Sequence, residues 1–400
     1  MNNLYIKFAF DHFIILACLG VLLRLSSVYY IPLNYKNILH THSHIAFLGW
    51  VYSAIFALYI ELFSSKIDSQ LKSYRTQFIL IQVVNLGMLI SFPIQGYALF
   101  SIIFSTLHVI ISYWFVYTIL KDIKNNTTIN MITKQFAKAS LLFLILSSLG
   151  PFTLPIIIKI YGAGSDNYFN TIYYYLHFQY NGWFTFSILA ISFRLLELKG
   201  VLFNSYKQKQ AYSILFYSTF LTLFLSFLWT KPSIVFYILA GVGSVLQIIF
   251  TYFLYSVFSK MENANNYKIK TINKNILRII LLCFVLKMIF QLIGAFPYFA
   301  DLSYEIRNFI IGYLHLFLIG VVSLSILFIC IEKDYFCITS TFSVSIYLFI
   351  GGYVLSEIWI FLQGIFWLSG YNGIPYYTIT LLVFSTFMML ATWIFRSKLK

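Results

Sequence analysis

Apolar runs of about 20 residues recur from one end of this chain to the other, and nothing else in the sequence constrains its fold so tightly. A run of that length crosses a hydrocarbon layer ~30 Å thick as an α-helix rising 1.5 Å per residue. Composition agrees. Of 400 residues, 60% are hydrophobic and 10% are charged, against roughly 25% charged in soluble domains. Mean hydropathy is +0.83. The expected fold is all-α, a polytopic membrane bundle of about twelve transmembrane helices forming one integral membrane domain over residues 1–400. The runs place helices near 11–31, 44–64, 76–94, 97–121, 139–160, 170–193, 210–229, 233–258, 276–297, 307–331, 339–364 and 374–395. The first run is too long for the core of a cleaved signal peptide and reads as a membrane helix.

A formal net charge of +15 raises the question of a nucleic-acid partner. Topology accounts for it instead, because cytoplasmic loops of membrane proteins collect Lys and Arg. With the N-terminus inside, the even-numbered loops and both tails hold 21 of the 27 Lys and Arg residues, among them Lys66, Lys72, Arg75, Lys121, Lys199, Lys268 and Arg278. The opposite side holds Lys36, Lys159, Lys231 and Arg307, while Arg24 and Lys287 fall within helices. Both termini are therefore expected in the cytoplasm, with the chain in the cell's inner membrane, the bilayer as its partner and no nucleic acid. The cysteines Cys18, Cys283, Cys330 and Cys337 form no CxxC pair and read as small apolar residues.

The histidines are patterned. His12 lies at the inner end of the first predicted helix and reads as incidental. His40, His42 and His44 open the second helix, and His108, His177 and His315 lie in the fourth, sixth and tenth. In the expected topology these six fall in or near the outer leaflet. Three of them begin the same motif: His44 to Gly49, His177 to Gly182 and His315 to Gly320 all read H-x4-G. Successive histidines of the motif are 133 and 138 residues apart, and the marked helices are the second, sixth and tenth. That is an internal repeat of four helices, a common way to build membrane folds. Neutral imidazole is the commonest metal ligand, and inward-facing ligands on neighbouring helices hold metal or heme within bundles. The glycine leaves space for a flat macrocycle or for a closely packed helix.

Twelve helices in three arcs of four, with histidines on the second, sixth and tenth, resemble the heme–copper oxidase subunit I superfamily. It includes cytochrome oxidases and the large subunit of nitric oxide reductase. The stretch Tyr313 to Gly320 is similar to the tenth-helix HxH-x4-G of the nitric oxide reductase branch. The stretch His42 to Gly49 is similar to the HAHE-x-LFG motif of NnrS-like membrane proteins, a group associated with heme, copper and nitric oxide stress. The resemblance implies a pseudo-threefold bundle and a low-spin heme b ligated by His315 and by His42 or His44, with Gly49 and Gly320 beside it. It implies a copper or iron ligand at His177, with His108 as a further candidate. It also implies electron transfer, respiratory or related to nitric oxide, with quinol or a membrane cytochrome as redox partner. Departures point to a degenerate member. The second-heme ligand position falls on Tyr313, residues 210–229 contain no histidine, and Asn181 stands where the family has tyrosine or glutamate.

Polar residues inside spans give a second expectation, a transporter or channel. Lys287 and Gln291 share a helix face, and Glu357 lies within the eleventh helix. A lysine at mid-membrane costs roughly 3 kcal/mol and so turns inward to a partner. These three are the candidates for a proton path. Arg24, Glu61 and Arg194 are nearer helix ends and read as interfacial.

Overall fold

The structure is a computed structural model, which describes all residues except 1, 65–67, 202–204 and 263–270. Lys66 and Lys268, two of the basic loop residues, thus lie outside the described residues. Among those described there are thirteen helices and no strand. In chain order they are α1 (Asn2–Leu25), α2 (Tyr35–Phe63), α3 (Asp68–Gln95), α4 (Leu99–Asn125), α5 (Met131–Tyr161), α6 (166–198) and α7 (Tyr206–Thr230). They continue as α8 (Ile234–Glu262), α9 (Thr271–Gly294), the short α10 (Pro297–Glu305), α11 (Arg307–Glu332), α12 (Ser340–Leu368) and α13 (Tyr377–Ser397). Eleven are long and apolar enough to cross a membrane. The one long helix that falls short is α6, whose middle carries His177, Gln179 and Asn181. It is long enough to span but too polar to be recognised by apolarity.

Helices dominate because a chain in lipid must satisfy its backbone hydrogen bonds internally. The distribution of side chains is that of a protein solvated by hydrocarbon. On α3, Ile79, Val83, Leu86 and Ile90 recur at helical spacing and are exposed, while Gln77 and Asn85 on the other side are fully buried. On α8 the exposed residues are Val235, Ile238, Val242, Val245 and Ile249, and Ser244 and Gln247 are buried. Polar groups inside and apolar groups outside identify a multi-pass membrane protein.

The chain divides into two compact units, residues 1–126 with 330–400, and residues 127–329. In the first, α1 packs against α2 and α13, α3 pairs with α4, and α12 pairs with α13. Phe13 of α1 stacks on Trp50 of α2 at 4.2 Å, and Asp11 of α1 accepts from Arg396 Nε of α13 at 2.6 Å. Glu61 of α2 pairs with Lys333 at 3.0 Å. In the second unit, α5 packs on α6 and α7 pairs with α8. Phe143 of α5 lies at the centre of an aromatic cluster with Phe178 and Phe186 of α6 and Phe216 and Phe220 of α7. Arg194 and Glu197 of α6 pair at 3.2 Å near that helix's end.

Three helices widen their pitch, while α7 tightens to a 3-10 helix at Thr222–Thr230. The backbone widens to a π-helix at Ile45–Val51 in α2, at Phe178–Phe184 in α6 and at Leu316–Ser323 in α11. Each widened segment begins directly after a histidine of the H-x4-G motif: His44, His177 and His315. The repeat read from the sequence is thus a repeat of backbone conformation. A π-turn closes hydrogen bonds between residues five apart, and such segments are often found at functional sites.

Candidate functional site

In the first unit the histidines of α2 divide between two faces. His42 turns toward α1, where a Cβ added to Gly20 would come within 3.3 Å of its Cε1. One ring nitrogen faces the Leu16 carbonyl, while Nδ1 is buried with no hydrogen-bond partner. Arg24 lies within electrostatic range of both the His42 ring and the Glu357 carboxylate of α12. The structure therefore brings His42, Arg24 and the buried Glu357 into one neighbourhood. Arg24, which reads as interfacial in the sequence, is the residue common to this cluster.

His44 turns the other way. Its Nε2 is 2.8 Å from the Tyr97 hydroxyl and its ring stacks on Phe92 at 4.3 Å. His108 of α4 is buried against the Tyr52 ring at 4.6 Å, with its Nδ1 3.3 Å from the Ser112 hydroxyl. Its other nitrogen approaches the Leu48 carbonyl, which also accepts from Asn85 Nδ2 at 3.2 Å. His12 is not incidental. Its ring is seated on Gly49, where a Cβ would come within 2.7 Å of Cδ2. The space at Gly49, which the sequence leaves to a macrocycle or a close helix, is filled by an imidazole from α1.

In the second unit the same position is filled in the same manner. A Cβ at Gly182 would come within 2.5 Å of Phe143. His177 of α6 is buried and both its ring nitrogens are engaged. Nε2 lies 2.8 Å from the Thr219 carbonyl, and Nδ1 lies 3.1 Å from Asn181 Nδ2. The only consistent neutral tautomer donates from Nε2 to Thr219 and accepts at Nδ1 from Asn181. Asn181 Oδ1 in turn accepts from Lys287 Nζ of α9 at 2.5 Å. Lys287 is 1% exposed, and its ammonium lies 4.9 Å from the Phe317 ring and 6.0 Å from that of Phe284. Asn181 is thus the hub of an imidazole–amide–ammonium chain. Its spacing of four residues from His177 was visible in the sequence. Gln291, one turn beyond Lys287, is buried with its side-chain oxygen unpartnered.

His315 is half-buried in the second unit and precedes the π segment of α11, which contains the buried Gly320. His42, His44, His108 and Glu357 belong to the first unit and His177, Lys287, Gln291 and His315 to the second. An apolar pocket in the second unit is lined by α6, α8, α9 and α11 and has no histidine in its wall. Two of its lining rings, Phe284 and Phe317, are those beneath Lys287. Among the described residues, no three His, Cys, Asp or Glu side chains are grouped as a metal site. No family model matches the chain, and no curated protein matches it.

Proposed function

We propose that this membrane protein binds a single heme b and relays electrons as a degenerate relative of heme–copper oxidase subunit I. The observation that carries the reading is the threefold recurrence of a histidine followed by a π segment on α2, α6 and α11. Those helices are the second, sixth and tenth predicted spans, the positions that hold ligands in that superfamily. His42 suits an axial ligand better than His44. Its buried Nδ1 has an unshared lone pair and Gly20 leaves clearance beside the ring, whereas His44 Nε2 is bonded to Tyr97. The resemblance implies His315 as the second axial ligand, and Arg24, close to the His42 ring, offers a cation to a porphyrin carboxylate. A heme so bound supplies a one-electron couple tuned by its axial ligands and burial.

The residues do not fit a second metal at His177. Both nitrogens of that ring are hydrogen-bonded, and an ammonium sits one amide away. The protein's own groups there fix one imidazole tautomer and hold a positive charge in the interior. Quinol or a membrane cytochrome would supply the electron, with both termini in the cytoplasm and the chain in the inner membrane.

A reduced-minus-oxidised spectrum of the purified protein is the test. A b-type band is expected in the wild type, lost in His42→Ala and in His315→Ala and kept in His40→Ala. A wild type without that band after growth with added heme overturns the proposal. One observation favours a second reading, proton or ion movement: the Lys287 ammonium has no carboxylate partner among the described residues. Flux in proteoliposomes that persists unchanged in Lys287→Met and Glu357→Gln would remove it.

A further inference from the structure

The face of α2 that turns away from Gly20 carries a second arrangement, independent of the heme reading. Asn37, His40 and His44 lie three and four residues apart on α-helical backbone, which aligns them along one side. That side meets the turn between α3 and α4. Asn37 donates from Nδ2 to the Pro93 carbonyl at 3.3 Å, and a Cβ added to Gly96 would come within 2.6 Å of its Oδ1. Gly96 has φ +62°, a conformation that glycine adopts without steric cost. Ser101 closes the turn, its hydroxyl donating to the Gly96 carbonyl at 2.5 Å and accepting from the Ala98 N–H at 2.9 Å.

The result is that Tyr97 is held against both imidazoles. Its ring centroid lies 4.7 Å from that of His40 and 5.6 Å from that of His44, with its hydroxyl 2.8 Å from His44 Nε2. Tyr97 is 54% exposed, and both histidines are partly exposed. Two half-open imidazoles thus stand one turn apart, with a phenol fixed against them by a pinned turn.

We propose that His40, His44 and the Tyr97 oxygen form a site for one divalent copper ion. Two histidines four apart on one helix face chelate a single ion. Two imidazole nitrogens and a phenolate oxygen suit copper(II), which binds such donors more tightly than the other first-row divalent ions. On binding, the ion replaces the proton now shared between the Tyr97 oxygen and His44 Nε2. That proton leaves to water, and solvent completes the coordination. No electron is transferred. Lys36, one turn before His40, is exposed and places a positive charge near the site, so Lys36→Ala should tighten binding.

The full chain, purified in detergent and stripped with chelator, is titrated with copper(II) sulfate against a competing chelator and read by electron paramagnetic resonance. One equivalent is expected, with coupling to two nitrogens and a visible phenolate-to-copper band that disappears in Tyr97→Phe. His40→Ala and His44→Ala should each weaken binding roughly tenfold or more, and His12→Ala should leave it unchanged. A wild type that takes up no copper, couples to one nitrogen or lacks the band overturns the site, and none of those readings depends on a variant folding. So do His40→Ala and His44→Ala proteins that bind as the wild type does. The heme band is recorded on the same samples, so failure of either proposal is seen separately.

Discussion

Replacing Asn181 by Leu probes the interior chain of the second unit most directly, because the two side chains have the same branched shape. Asn181 holds both the Lys287 ammonium, at 2.5 Å, and the acceptor nitrogen of His177, at 3.1 Å. A hydrogen bond to a charged group contributes about 1.5–3 kcal/mol, and a buried acceptor left bare costs about 1–3 kcal/mol. Asn181→Leu should therefore destabilise the protein by roughly 3–5 kcal/mol, a large effect for a change of similar volume. Lys287→Met behaves differently. It strands the Asn181 oxygen but removes a buried charge worth roughly 3 kcal/mol at mid-membrane, so it should be close to neutral. In the double variant, Asn181→Leu should cost only its His177 contact, about 1–2 kcal/mol, leaving a coupling energy of about 2 kcal/mol. Reversible unfolding in mixed detergent micelles, followed by tryptophan fluorescence, measures all four corners of this cycle. Neutral hydrogen bonds in membranes average only about 0.6 kcal/mol. A coupling at or below that level would refute an ion-centred chain.

The glycines of the repeated motif should respond to alanine in contrasting ways. At Gly49 the nearest obstructing atoms belong to the His12 ring, so Gly49→Ala should cost about 1–3 kcal/mol in the same unfolding assay and be rescued by His12→Ala. At Gly182 the nearest obstructing atom is Phe143 Cβ, which no smaller side chain except glycine removes, so Phe143→Leu should fail to rescue Gly182→Ala. Thr185→Val removes a hydroxyl that donates to the Tyr180 carbonyl at 2.7 Å and should cost about 1 kcal/mol. Deleting Ala46 from the π segment of α2 should restore α-helical pitch and rotate the preceding turns by about 100°. Both the heme band and copper binding should then be lost, while the protein still inserts in the membrane.

Helix count and class were legible because hydrocarbon imposes a single rule on every span. The exception, α6, shows the limit of that rule, since His177, Gln179 and Asn181 lower its apolarity while packing inside the second unit. The H-x4-G repeat was visible, but its meaning was not. Spacing alone gave no sign that the backbone would widen after each histidine, nor that Gly49 would hold a ring from a helix 37 residues earlier. Whether His42 or His44 pointed at α1 was open in the sequence, because two residues turn a helix by about 200° and the opposing surfaces are unknown until helices pair. Gly20 and Tyr97 decide that question, and neither stands near a motif. Asn181 was noticed only as a departure from a pattern, although its amide joins two buried ionisable groups, His177 and Lys287.

The π segments explain why the motif has five-residue spacing. In an α-helix, residues five apart point about 140° away from one another, so a histidine and a glycine so placed would not share a face. In a π-turn, five residues is the hydrogen-bonding period, and the glycine comes nearly beneath the histidine. The wider turn must be stabilised, and two of the three repeats do so in the same way. Eight residues after the histidine, Thr185 and Ser323 each donate a hydroxyl to the carbonyl five residues back, at 2.7 and 2.8 Å. The third repeat has Tyr52 at that position, and its π segment instead offers the Leu48 carbonyl to Asn85 of α3. The glycine then lets a neighbouring ring approach the widened backbone, His12 in one unit and Phe143 in the other. A histidine, a glycine and a hydroxyl at offsets of zero, five and eight therefore encode a backbone shape before they encode any ligand. The shape re-aims the helix turn that carries the histidine, and it is kept at His177 although both nitrogens of that ring are hydrogen-bonded within the protein.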